Sequence, residues 1–261
     1  MKRAEKAIIK KDIRGITSNR RLFSALWIVP LALTVILPSI FVCAAHFAPD
    51  DPDVLALLEL LPGAANTESA ELAIAGIIFN YILPAFFLMI PIMTTSVMAA
   101  SAFVGEKEKH TLETLLYCPL SVKEIFRAKV LASFLLSMLV SLVSFAAMLT
   151  VLELEAVFLM GSPLLPGGGW GIVLFLLSPA VSLIAVTLIV RNSARAQSVE
   201  ESQQSAVFLI IPVILLVVGQ FAGVMILNVW ILLGLSIVCA LLAWILLQRA
   251  VKRFTYEMLL K

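Results

Sequence analysis

The chain is short of charge, and that shortage decides its class. Of 261 residues only 14% are Asp, Glu, Lys or Arg, while 61% are hydrophobic and the mean hydropathy is +1.06. A water-soluble domain carries about a quarter charged residues, so this composition excludes one. Histidine and cysteine are scarce too, at 2 and 3 residues. Cys43, Cys118 and Cys239 lie far apart with no ligand cluster beside them, so neither a disulfide nor a metal site is expected. There is no H-E-x-x-H motif and no G-x-x-x-x-G-K-[ST] loop, so the chain is not expected to bind zinc or ATP itself. The glycines Gly167–Gly169 lack the lysine and read as a turn. A net charge of only +2 gives nucleic acid no purchase.

Ionisable groups are also missing from the middle of the apolar runs. Ion-coupled carriers sense their ion through such a group. Asn80, Gln220 and Asn228 are the strongly polar residues available there, and each serves equally as a helix–helix hydrogen bond. Glu200-Glu201 is a paired carboxylate with no basic or imidazole group at a useful spacing, which disfavours an intramembrane enzyme. If the chain transports, its energy comes from elsewhere.

What is present is a set of long charge-free gaps at 22–49, 72–105, 130–152, 156–190 and 202–248. Each exceeds the roughly 18 residues that mark a candidate membrane-spanning helix. The last would reach roughly 70 Å as one helix at about 1.5 Å per residue, against a hydrocarbon core about 30 Å thick. It must turn back, most naturally between Gly219 and Asn228. The pattern predicts an all-α membrane protein forming one domain over 1–261. Its six spans fall at about 22–46, 73–103, 129–152, 171–190, 205–226 and 229–248. Pro30 and Pro38 should kink the first, and the length of the second suggests that it projects from the membrane. Residues 54–61 suggest a short helix on the outer interface. The first apolar run is too long and too poorly punctuated for a cleaved signal peptide.

Charge placement assigns the sides. All 19 Lys and Arg residues fall in four segments: the N-terminus with 8, the loop after span two with 5, the loop after span four with 2, and the C-terminal end with 4. The opposite loops hold only acids, including Asp50, Asp51, Asp53, Glu153 and Glu155. The positive-inside rule then puts both termini in the cytoplasm. Residues 3–18, RAEKAIIKKDIRGITS, place Ala4, Ala7, Ile8, Ile9, Ile13 and Ile16 roughly on one face among basic residues. This predicts an amphipathic helix on the inner interface, in contact with the lipid bilayer.

The loop after span two reads GEKEKHTLETLLYCPLSVKEIFRAKVL from Gly105. Leu112, Leu115 and Leu116 recur at helical spacing, Pro119 ends that helix, and Ser121 with Glu124 forms a capping box for the next. This stretch resembles the signature of ABC-2 type transporter permeases, an acidic–basic cluster before T-L-E-x-L-L-x-x-P-[LV]-S, with a lysine near the next span. The match runs through Glu106, Glu108, Thr111, Leu112, Glu113, Leu115, Leu116, Pro119, Leu120, Ser121 and Lys129; His110 stands where the family has glycine. The polar loop 195–204 and Pro212 resemble the family's second cytoplasmic stretch.

The resemblance implies a permease subunit, mostly of exporters. It would pair with a second permease subunit, identical or related, and be driven by a cytoplasmic ABC ATPase subunit that binds ATP and Mg. The 105–120 element would be the main coupling helix and 191–204 a second contact. The ATPase-coupling candidates are therefore Glu106, Lys107, Glu108, His110, Thr111, Glu113, Leu116, Pro119, Arg191 and Arg195. The location implied is a bacterial inner membrane. The alternative is a non-transporting membrane anchor or sensor that holds a soluble partner through the same loops.

Overall fold

A computed structural model describes residues 3–47, 70–108, 111, 120–193, 196, 198–204, 206–221 and 228–253. Helix α1, Arg3–Ser18, is followed at once by α2, Arg20–Phe47. The second span, α3, is a run of pieces: Ala70–Ile77, a π turn at Ile78–Ile82, Leu83–Phe87 and Met89–Glu108. Then come α4, Val122–Met160, and α5, Gly169–Ser193, which has its own π turn at Val173–Leu177. The short α6, Val199–Gln204, leads into α7, Val207–Phe221, and α8, Val229–Arg253, completes the bundle. Among the described residues six stretches are long and apolar enough to cross a membrane, the fifth running through α6 and α7. This is the six-span, all-helical membrane architecture that the apolar runs predict. The segment around residues 54–61 lies outside the described residues.

The helices overrun the charge-free gaps. α4 has 39 residues where the gap suggests 129–152. At about 1.5 Å per residue it is roughly 58 Å long, nearly twice a hydrocarbon core. The predicted capping box sets its start: Ser121 Oγ accepts from Glu124 N at 3.3 Å, and Glu124 Oε2 accepts from Ser121 N at 2.9 Å. Its far end stops at Gly161, whose φ of 70° suits glycine. Glu153 Oε2 then accepts from Leu164 N at 3.2 Å and draws the following loop back over the helix end.

The two π turns have a common cause. Each sits just before a proline, Pro84 or Pro179, which has no N–H to return to the carbonyl four residues earlier. The widened turn in α3 leaves carbonyls for other helices. Trp170 Nε1 donates to Phe79 O at 3.2 Å, and Gln220 Nε2 donates to Tyr81 O. Trp170 also seats its indole among Phe79, Phe87 and Phe145, with centroids 5.0–5.5 Å away. Asn80 Oδ1 accepts from Gly167 N at 2.6 Å, so close that a Cβ on Gly167 would lie 2.9 Å from that oxygen.

Packing sorts the spans into inner and outer. α4 packs on α1, α2, α3 and α5, and α3 packs on α5 and α6 as well. The small residues of α3 permit this closeness. Thr94 Oγ1 shares a hydrogen bond with Ser137 Oγ at 2.9 Å, and Thr95 Oγ1 one with Ser182 Oγ at 2.8 Å. In the most apolar stretch of α3 67% of the residues are buried, whereas in that of α8 only 17% are, and α8 shows Trp230, Leu241 and Trp244 to its surroundings.

Candidate functional site

One end of the bundle gathers the basic segments, and there the chain builds a buried ionic cluster. Lys129, two turns into α4, is 2% exposed. Its Nζ lies 2.9 Å from Glu106 Oε2 on α3 and 3.9 Å from Asp12 Oδ2 on α1, and it donates to Ala102 O. The same ammonium stands 5.4 Å from the centroid of the Phe103 ring, close enough for a cation–π attraction. Lys11 reaches in from the surface to Glu106 Oε1. Two cations thus face two carboxylates, and three helices meet at one ammonium.

Helical spacing explains how each group arrives. Asp12 lies four residues after Ile8 and four before Ile16, so it falls within the stripe that α1 buries. Lys129 lies four residues after Ile125, on the face of α4 that α1 covers. Burial pushes the Asp12 carboxyl up to about 6; Lys129 opposes this, Glu106 adds to it and Lys11 opposes it. Ile8 packs with Ile125 and Ala128, so apolar contact as well as charge holds α1 in place.

Among the predicted coupling residues, Glu106 is buried within this cluster, Lys107 is half-buried and Glu108 is exposed. Thr111 is exposed, and its N–H returns to Glu106 O at 3.0 Å, closing the end of α3. Arg191 is exposed at the end of α5. His110, Glu113, Leu116, Pro119 and Arg195 lie outside the described residues.

The structure brings the two candidate loops together. α6 packs on the basic end of α3, where Val199 and Ala196 are buried with Ala99, Ala100, Val104 and Ile189. A Cβ on Gly105 would stand 3.7 Å from Val199 Cγ2. The loop after span two therefore springs from a point that the loop after span four touches. A groove of about 220 Å³ opens beside them, with Leu26 and Pro30 of α2, Thr94 and Ser96 of α3, and Gln203 of α6 in its lining.

Residues 73–247 match the model of the ABC-2 family transporter proteins. The chain belongs to that family. It is a membrane permease component of an ABC transporter, and membership implies association with a membrane and with an ABC ATPase subunit. No curated protein and no solved structure matches the chain.

The matched stretch begins after α1 and α2, so Asp12 and Lys11 lie outside the matched residues. The motif by itself suggests a partner contact for Glu106 and a position beside the next span for Lys129, and it does not reach Asp12. The signal for Asp12 was present in the Ile8–Asp12–Ile16 spacing. The pairing itself joins residues about a hundred positions apart, which no local pattern encodes.

Proposed function

We propose that this permease forms the membrane path of an exporter, driven by ATP and Mg bound on a separate cytoplasmic ATPase subunit. Both termini then face the cytoplasm, in accord with the positive-inside charge pattern, and the membrane is a bacterial inner membrane. A second permease subunit, identical or related, completes the path. The groove beside Thr94, Ser96 and Gln203 supplies polar groups along that path.

The observation that carries this reading is the anchoring of the loop between α3 and α4. Its first end is held by Glu106 and Thr111, and its second by the Ser121 capping box and Lys129. A partner pressing on residues 107–119 would thus move α3 and α4 together, and α1 with them. Glu106 acts from inside the chain by fixing the loop's base. Lys107, Glu108, His110, Thr111, Glu113, Leu116 and Pro119 present the contact surface, with Arg191 and Arg195 at its side. Charges there choose and orient the partner more than they add affinity.

The test is Glu113→Lys in the assembled complex. The variant inserts and folds, but substrate-stimulated ATP hydrolysis falls about tenfold or more, the loss of one central interface contact. Wild-type coupling in that variant removes the loop from the ATPase interface. A chain that purifies from its native membrane with a soluble partner lacking a phosphate-binding loop would instead be an anchor.

A further inference from the structure

A second groove, of about 620 Å³, lies on the other side of the bundle between α4, α5 and α8. Its walls are apolar: Val130, Leu131 and Phe134 from α4, Leu183 from α5, Leu247 and Val251 from α8. Arg127 and Lys252, both exposed, line it at one end, with Gln248 beside them. Among the described residues no carboxylate lines it. α4 starts and α8 finishes at the basic end of the bundle, so the two cations share that end while Phe134 and Trp244 lie deeper. From Lys252 to Trp244 is eight residues of α8, about 12 Å at roughly 1.5 Å each. One leaflet of a bilayer is about 15 Å of hydrocarbon. The groove thus spans most of a leaflet, with positive charge where headgroup phosphates lie.

We infer that this groove holds one anionic glycerophospholipid, its phosphate at Arg127 and Lys252 and one acyl chain along Leu131, Phe134 and Leu183. Charge complementarity selects that occupant. Basic pockets between spans on the cytoplasmic side take anionic headgroups, and the exposed indole of Trp244 supplies a flat apolar wall. A second copy of the chain is a poor fit, because an isologous contact would bring the Arg127 and Lys252 patches of two copies together with no acid among the described lining residues. The inference rests on the proposed placement of the basic end at the cytoplasmic face, and on nothing else in the transport reading.

The test is native mass spectrometry of the full chain in detergent, titrated with phosphatidylglycerol and with phosphatidylcholine of identical acyl chains. One phosphatidylglycerol binds at least tenfold more tightly than phosphatidylcholine. The double variant Arg127→Gln/Lys252→Gln loses about 25-fold, about fivefold per cation near a membrane surface. Arg20→Gln/Arg191→Gln, which removes two exposed cations outside the groove, keeps wild-type binding, and so does the charge-preserving Arg127→Lys/Lys252→Arg. Equal binding of the two lipids, equal loss in the remote double variant, or displacement of the lipid by glycerol phosphate at matching concentration overturns the inference. A photoreactive side chain at Leu131 in native membranes provides an independent check. A phospholipid adduct supports the inference, and a polypeptide adduct overturns it.

Discussion

At the scale of the residue, Lys129 is the group with most at stake. Replacing a buried ion pair by apolar groups is often neutral, while removing one partner alone leaves a stranded charge. Lys129→Met should therefore destabilise the permease by about 3–5 kcal/mol, whereas Lys129→Met/Glu106→Leu should recover much of that loss. Thermal unfolding of purified protein in detergent reads both, and a double variant no better than the single would mean that the pair is not coupled. Asp12 sets a pH dependence of definite sign. Its carboxyl is raised from 3.8 to about 6, so the folded state favours the neutral form. That contribution to α1 docking is complete below the ordinary value, declines as pH climbs, and is gone above about 6. Hydrogen exchange of residues 4–16 should slow as pH falls from 7 to 5, after correction for intrinsic exchange. Asp12→Asn should remove the trend; a trend that persists assigns it to another group.

At the scale of the element, the broken helix α3 carries the prediction. Pro84 forces the π turn, and the carbonyl of Phe79 is used by Trp170. Trp170→Phe keeps an aromatic ring among Phe79, Phe87 and Phe145 but leaves that carbonyl without its donor, at a cost of about 1–3 kcal/mol. Trp170→Ala also opens a cavity and should cost about 3–5 kcal/mol. Equal losses in the two variants, measured by thermal unfolding, would show that the hydrogen bond contributes nothing. α4 is the complementary case: it has no proline and runs unbroken, and its buried small residues, Ser133, Ser137, Ser141 and Ser144, let its neighbours approach closely. Its length lets one rigid rod join the ionic cluster at Lys129 to the loop held by Glu153.

At the scale of the whole molecule, an even number of spans returns the basic segments to one end. Contacts among Lys11, Glu106, Lys129, Val199 and Gly105 show three of those segments meeting there, and the groove between α4, α5 and α8 is lined both by Arg127 and by Lys252 of the fourth. Single cysteines in a cysteine-free background provide the test. Leu165→Cys should react with an impermeant maleimide in intact cells, and Thr17→Cys only after the membrane is breached. Labelling of both from outside would refute the six-span topology.

The sequence alone determined that the chain crosses a membrane, how many times, and where its charges collect. Transfer free energies act residue by residue, so a run of apolar side chains is legible without knowing its neighbours. The Ser121–Glu124 cap is legible for a similar reason, since it depends on residues three positions apart. Helix length was less so. A helix persists through Lys123, Arg127, Glu153 and Glu155 because its backbone bonds do not need an apolar environment, so charge-free gaps understate α4. Only the tertiary structure decided that Glu106 turns inward to Lys129, that Asp12 joins them, and that α6 rests on Gly105. Those contacts depend on how three helices cross, which side-chain packing between distant segments sets, and a buried ammonium selects whichever carboxylates that crossing brings within reach.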